Sequence, residues 1–192
     1  MKIFSILLSA FLFVGANAED EAATVLFDGS NLDAWDFGEG AWEIDGEGAL
    51  TCKMEEVLDK KGERKLKGMG YIWTKQEFGD FELTLSYKLS EGANSGVFYR
   101  AERDNAVNGG HEIQLMDNEG FQKTHGAKDD KKLHGSFYEG QAASSNPANP
   151  VGEWDTLKLR AEGSRIVCHI NGVEVFDVNV NDWSEVGKNP DG

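Results

Sequence analysis

The sequence predicts an all-β fold in which two antiparallel sheets pack face to face as a sandwich or jelly roll. Three observations carry that expectation. Residues 81–89 alternate without a break, with Phe81, Leu83, Leu85, Tyr87 and Leu89 on one face and Glu82, Thr84, Ser86 and Lys88 on the other. That is the period of a strand with one side in a core and one in water. Turn chemistry recurs at Asp28-Gly29, at Asp45-Gly46-Glu47-Gly48 and at Asn171-Gly172, where Gly and Asn tolerate the positive φ that tight turns need. Helical periodicity is almost absent, and many short strands with little helix bury their faces by packing in two layers.

The chain opens on a targeting pattern. Lys2 precedes an apolar run over 3–14, and Ala16-Asn17-Ala18 provides the small residues a signal peptidase requires. Residues 1–18 are therefore expected to leave as a signal peptide, outside the fold, with cleavage before Glu19. The apolar run is too short to persist as a membrane span, and no Cys stands at the cleavage point to carry a lipid anchor. Residues 19–192 are expected to form a single exported domain, periplasmic or extracellular.

Within that domain, 24–27 reads as a strand before the Asp28-Gly29 turn, with Leu32 and Trp35 as anchors beneath a polar loop. Residues 41–44 and 49–52 flank a four-residue turn as a hairpin. The charged stretch 53–70 reads as an exposed excursion with one short helical turn near 54–58, and 71–74 returns to strand. Residues 156–160, 166–170 and 173–178 make a closing meander, its last turn being Asn171-Gly172. Cys52 and Cys168 each lie in a strand-like run. Outside the cytoplasm they can pair, and two buried free thiols are the equal alternative.

Lys and Arg number 19 against 34 Asp and Glu, a net charge of −15. Such a field repels nucleic acid and anionic membranes and makes a polyanion a poor partner. A small neutral carbohydrate, or a cation such as Ca²⁺, is compatible with it. The same acidity also serves simply to keep an exported protein soluble.

The chemistry gathers in 94–117. Two strand-like runs, Asn94-Ser95-Gly96-Val97-Phe98-Tyr99-Arg100 and His111-Glu112-Ile113-Gln114-Leu115-Met116-Asp117, set Asn, Arg, His, Glu, Gln and Asp among apolar residues, a mixture stability alone would not favour. Strand parity puts Glu112, Gln114 and Met116 on one face and His111, Ile113, Leu115 and Asp117 on the other. Asp117 joins Glu112 only if a bulge follows Gln114. Asn94, Gly96, Phe98 and Arg100 share a face of the neighbouring strand, and Gly96 leaves room for a ring to approach. Arg100 is expected either to hold a sugar oxygen or to neutralise Glu112. Trp73 and Tyr99 are candidate stacking surfaces, whereas Trp35, Trp42 and Trp154 are expected in the core. The long polar stretch 118–150 leaves directly from Asp117 and carries His125, His134 and Tyr138. A stretch of that length is a functional cover or a surface loop with incidental histidines.

Glu112-x-Gln114-x-x-Asp117 loosely resembles the Glu-x-Asp-x-x-Glu signature of laminarinase-type glycoside hydrolases. A glycosidase needs two carboxyl groups flanking the scissile bond, and here Gln and a shorter Asp replace two of the three acids.

A closer resemblance covers nearly the whole chain after the leader. The motifs Leu26-Phe27-Asp28-Gly29-Ser30-Asn31-Leu32-Asp33-Ala34-Trp35, Phe78-Gly79-Asp80-Phe81-Glu82-Leu83, Asn94-Ser95-Gly96-Val97-Phe98-Tyr99-Arg100, Glu112-Ile113-Gln114-Leu115-Met116-Asp117 and Gly152-Glu153-Trp154-Asp155 occur in the order seen in the 3-keto-disaccharide hydrolase domain family. Its members are also described as 3-keto-glucoside 1,2-lyase and 3-keto-2-hydroxy-glucal hydratase domains. The resemblance implies a concanavalin A-like jelly roll acting on 3-keto-glycosides. A base removes the C2 proton acidified by the C3 ketone, the C1 substituent leaves, and water adds to the glucal. It implies Glu112 as base or as ligand of a divalent cation, with Asn94, Arg100, Gln114 and His111 holding the sugar. Asp117, His134 or Tyr138 then handles the second proton, Tyr138 standing in a Gly-x-x-Tyr segment. Family members continue past the last hairpin into a further strand, so a domain lacking its C-terminal strand is expected here. A non-catalytic carbohydrate-binding module on the same fold and a laminarinase-type hydrolase are the competing readings.

Overall fold

A computed structural model describes residues 10–13, 23–58, 60–185 and 190. Its strands, in chain order, are β1 (Ala10–Phe13), β2 (Thr24–Phe27), β3 (Trp35–Phe37), β4 (Trp42–Ile44), β5 (Leu50–Cys52), β6 (Met54–Leu58), β7 (Arg64–Gly68), β8 (Ile72–Thr74), β9 (Phe81–Lys88), β10 (Asn94–Tyr99), β11 (His111–Met116), β12 (Trp154–Glu162), β13 (Arg165–Ile170) and β14 (Val173–Asn179). One α-helix, α1 (Asn118–His125), follows β11. The fold is the all-β jelly roll that alternation and turn chemistry predict.

One layer is a six-stranded antiparallel sheet in the order β14-β13-β12-β9-β1-β2. Its heart is the pairing of β9 with β12, which runs in register from Trp154 opposite Lys88 to Ala161 opposite Phe81. The alternation of 81–89 is realised there. Leu85, Tyr87 and Leu89 are buried, and Leu157, Leu159 and Ala161 stand beside them from β12. The facing layer holds the β10–β11 ladder and the short pairs β3–β8 and β4–β5. Tyr99, Ile113, Leu115 and Phe137 meet Ile166, Cys168, Ile170 and Phe176 in one core between the layers.

Two turns behave as their residues predict. Asp45 accepts the backbone N–H groups of Glu47 and Ala49, closing the β4–β5 hairpin. Asn171 and Gly172 adopt φ of 50° and 79°, so the β13–β14 connection takes a geometry that a Cβ-branched residue would resist. Asn171 also accepts from Thr156 N–H at 2.9 Å and donates to Pro147 carbonyl and Asp155 carboxylate, fastening the hairpin to β12.

The structure departs from the sequence reading in two places. Residues 54–58 are strand β6, paired with β7, because the acidic residues of one exposed strand meet basic residues of the other, Glu55 standing opposite Lys67 and Glu56 pairing with Arg64 at 3.3 Å, where a helical turn was expected. The stretch after Asp117 begins with helix α1 where a loop was expected. Ala10–Phe13, within the stretch expected to leave as a signal peptide, stands between β9 and β2 and pairs with both. An extended segment there satisfies edge N–H and C=O groups that β2 and β9 would otherwise expose. The remainder of residues 1–18 lies outside the described residues. Cys52 and Cys168 are free thiols, and burial pushes the Cys168 thiol up to about 12. No helix among the described residues is long and apolar enough to cross a membrane.

Asn171→Ala is expected to lower unfolding free energy by about 1–3 kcal/mol, since it removes three side-chain hydrogen bonds and puts at positive φ a residue that tolerates that region less well than Asn. Urea denaturation followed by tryptophan fluorescence measures it.

Candidate active site

The β10–β11 ladder is unbroken from Asn94 opposite Met116 to Tyr99 opposite His111. Directly opposed residues share a face, so Ser95, Val97, Tyr99, His111, Ile113 and Leu115 turn toward the core. Asn94, Gly96, Phe98, Glu112 and Gln114 turn outward. Core anchoring by Ile113 and Leu115, both almost fully buried, fixes this parity, because a one-residue slip would send them to the outer face.

Glu112 is the acidic group of this floor. Its carboxyl lies across Gly96, where an added Cβ would stand 2.1 Å from Oε1. The space that glycine leaves is thus filled by the Glu112 side chain, not held open for a sugar ring. Burial raises the Glu112 carboxyl from 4.5 to about 7, with Lys128 opposing the shift and Glu139 adding to it. Folded Glu112 holds its proton to higher pH than the unfolded chain does. The associated stability is therefore complete below about pH 4.5 and lost as pH rises to about 7.

The floor is walled by the segment that follows α1. Gln114 donates its backbone N–H to Ser136 carbonyl, and its own carbonyl accepts from Gly135 N–H. Tyr138 N–H donates to Glu112 carbonyl at 3.0 Å, and a bridge joins Phe137 to Ile113. Residues 135–138 therefore run beside β11 as an extra partial strand. Phe137 packs on the core while Tyr138 emerges on the Glu112 side. Lys132 pairs with Glu139 at 2.6 Å and lies over the Tyr138 ring. Burial, ahead of an opposing Lys132 charge, raises the Tyr138 hydroxyl. Burial and Lys132 lower the Lys128 ammonium, and Glu112 counters them. Gln114 Nε2 reaches Asn94 Oδ1 at 3.2 Å and Lys132 carbonyl at 3.4 Å, tying the strand pair to this wall.

Four of the eight residues singled out from sequence thus come together: Asn94, Glu112, Gln114 and Tyr138. The other four stand elsewhere, each for a physical reason. Arg100 takes a left-handed φ of 49° and leaves the ladder, so its guanidinium bonds Asp80 and the Gly163 carbonyl instead of Glu112 or a ligand. Asp117 has no bulge to turn it outward. It caps α1 by accepting Gly120 N–H and also accepts Gly92 N–H at 2.7 Å. His111 packs on the inner side between the Tyr99 and Phe137 rings. His134 is buried on the core side, accepting Met116 N–H at Nδ1 and lying 2.8 Å from the Tyr87 hydroxyl. With Nδ1 accepting, the ring proton sits on Nε2 and is donated to Tyr87 oxygen. Burial holds His134 neutral, down to about 4. Tyr99 is likewise buried and offers no stacking surface.

Lys128, Lys132 and Glu139 were not found from sequence, because they lie in a stretch without periodicity and only its folding back brings them to Glu112. The outward parity of Phe98 was legible, and its ring carries Tyr71 at 5.7 Å. Among the described residues no three His, Cys, Asp or Glu groups are arranged to hold a metal ion. Glu112 has Glu139 near it, and Glu139 is engaged by Lys132, so this donor set does not fit a resident cation. A cavity of about 550 Å³ opens on the outer face of the six-stranded sheet. Its cations Lys158, Arg160 and Arg165 are tied to Glu82, Glu162 and Asp177.

Comparison with known proteins gives a consistent picture. The profile of the 3-keto-alpha-glucoside-1,2-lyase-like domain matches residues 22–190. A 3-keto-disaccharide hydrolase of Bacteroides thetaiotaomicron is 27% identical over 124 residues, covering 57% of this chain and 43% of that protein. The match thus spans less than half of that relative's length. A solved structure from Parabacteroides distasonis with a provisional glycosyl hydrolase designation superimposes with a TM-score of 0.69 at 26% identity, covering 85% of this chain and 75% of that one. A second from the same organism, at 20% identity and a TM-score of 0.67, shares the fold.

Gly96→Ala is expected to leave the strand intact and to drive the Glu112 carboxyl out toward water. Its pKa should then fall from about 7 back toward 4.5. Carbon-13 titration of the glutamate carboxyls reads this directly, and a Glu112 resonance still titrating near 7 would contradict the placement.

Proposed function

The chain belongs to the 3-keto-alpha-glucoside-1,2-lyase-like domain family, and on that premise we propose that it is a carbohydrate-active enzyme cleaving 3-keto-glycosides, with Glu112 as the base. The observation that carries this reading is the Glu112 carboxyl itself. It is desolvated over Gly96 and raised to about 7, where a carboxylate is both available and basic enough to take a proton next to a ketone.

The residues support a stepwise elimination. Glu112 takes the C2 proton, and the C–H electron pair moves into a C2–C3 enediolate whose charge rests on the C3 oxygen. The Lys128 ammonium, already coupled to Glu112 by charge, is the group that would balance that oxygen. Collapse of the enediolate restores the C3 carbonyl, forms the C1–C2 double bond and expels the C1 substituent. The leaving oxygen takes a proton from Tyr138, whose raised pKa keeps it protonated until then. Water then adds, its hydroxyl going to C1 and its released proton to the Tyr138 phenolate, while the Glu112-held proton returns to C2, for net hydrolysis with both groups restored. No step requires the second flanking carboxylate of an ordinary glycosidase. The Ala16-Asn17-Ala18 pattern supports export to the periplasm or beyond as the setting of this activity.

Purified protein incubated with a 3-keto-glucoside and with its unoxidised parent should turn over only the keto sugar. Glu112→Gln should reduce that turnover by roughly a hundredfold or more. Full activity in Glu112→Gln, or cleavage of the parent, would sink the assignment.

A further inference from the structure

Three aromatic rings stand together outside the core beside Glu112. Phe98 is directly opposite Glu112 in the β10–β11 ladder, so the two side chains rise from the same face about 5 Å apart. The Tyr71 ring meets Phe98 edge to face, with centroids 5.7 Å apart at 84°, and meets Trp73 at 6.0 Å and 62°. None of the three belongs to the core cluster or to the partly buried residues packed on it. Tyr71 is 51% exposed. Its backbone is nonetheless anchored, because the preceding Gly70 carbonyl accepts the Trp42 indole N–H at 3.1 Å. The wall has a fixed far end as well. Arg103 lies over Trp73 while bonding Asp36 and the Thr74 carbonyl.

An exposed ring on a pinned backbone, stacked on a ring that neighbours the base, is a poor use of apolar surface unless something covers it. We propose that the Tyr71–Phe98 wall is the subsite for the leaving group at C1, and that it selects glycosides whose leaving group is itself a ring with an apolar face. This rests on Glu112 acting at C2. With C2 at Glu112, the C1 substituent is one bond further on, within reach of the neighbouring Phe98 and Tyr71. A pyranosyl group offers its axial C–H face to such a wall, and a phenyl group offers its π face; both are the same contact chemistry.

The test compares 3-keto-glucosides bearing methyl, phenyl and glucosyl leaving groups. The quantity read is the ratio of kcat/KM for each ring-bearing substrate to that for the methyl glycoside, in wild type, Tyr71→Ala and Tyr71→Phe. Tyr71→Ala should lower at least one ring-to-methyl ratio by roughly tenfold, the value of one lost stacking contact, while Tyr71→Phe keeps it. A fall in the glucosyl ratio identifies a saccharide occupant, and a fall in the phenyl ratio alone identifies an aryl one. Both ratios unchanged, or equal losses on all three substrates, would overturn the subsite. If wild-type protein turns over none of the three, the proposed reaction fails and the subsite is judged by calorimetric binding of methyl and phenyl glucosides. Tyr71→Ala must then weaken the phenyl ligand selectively, and an equal effect on both overturns it.

Discussion

The parity of strand β11 is the constraint on which the site depends. Ile113 and Leu115 are wholly buried against the six-stranded sheet, and an alternating strand cannot bury them without presenting Glu112 and Gln114 on the opposite side. The polar pair therefore takes its position from hydrophobic packing, which is strong and insensitive to pH, and not from the weaker polar contacts around it. A charged group held in this way can be desolvated without being free to swing into water. That is how an ordinary glutamate comes to titrate near 7.

The second requirement is a wall that keeps water away from that carboxyl, and it comes from a segment with almost no hydrophobic pattern of its own. Its hold on β11 is made of backbone bonds and two buried polar anchors. Asp117 accepts from Gly120 and Gly92, so the first turn of α1 and the approach to β10 are fixed together. Gly120 allows it, since a Cβ there would stand 2.1 Å from the Asp117 carboxylate. His134 joins the far end of the segment to Met116 N–H and to Tyr87 in the core, while its own N–H donates to Asn118 Oδ1. Of the acid-base residues expected from sequence, Asp117 and His134 are thus used to build the wall, while Tyr138 stands on the Glu112 side together with the less conspicuous Lys128.

The fold was legible because its signals are local. The 81–89 alternation, the Asn171-Gly172 turn and the outward parity of Glu112 and Gln114 follow from strand geometry alone. Arg100 was misplaced because parity arguments assume continued strand geometry, and its φ of 49° ends that geometry at this residue. His134 was misread because a buried imidazole and a catalytic one have the same letter in the sequence. Only the distance to Tyr87 and the Met116 N–H tells them apart. The cations near Glu112 could not be found from spacing, since they arrive by a chain reversal that no periodicity encodes. The aromatic wall falls between these cases, with Phe98 predictable by parity and Tyr71 brought in by packing across the layer.

Deuteration of a 3-keto-glucoside at C2 interrogates the central claim most directly. If Glu112 removes that proton, kcat/KM falls on deuteration. Its rate should also climb with pH through an inflection near 7, the value burial imposes on the carboxyl. An isotope-insensitive rate with no inflection in that range would contradict the account.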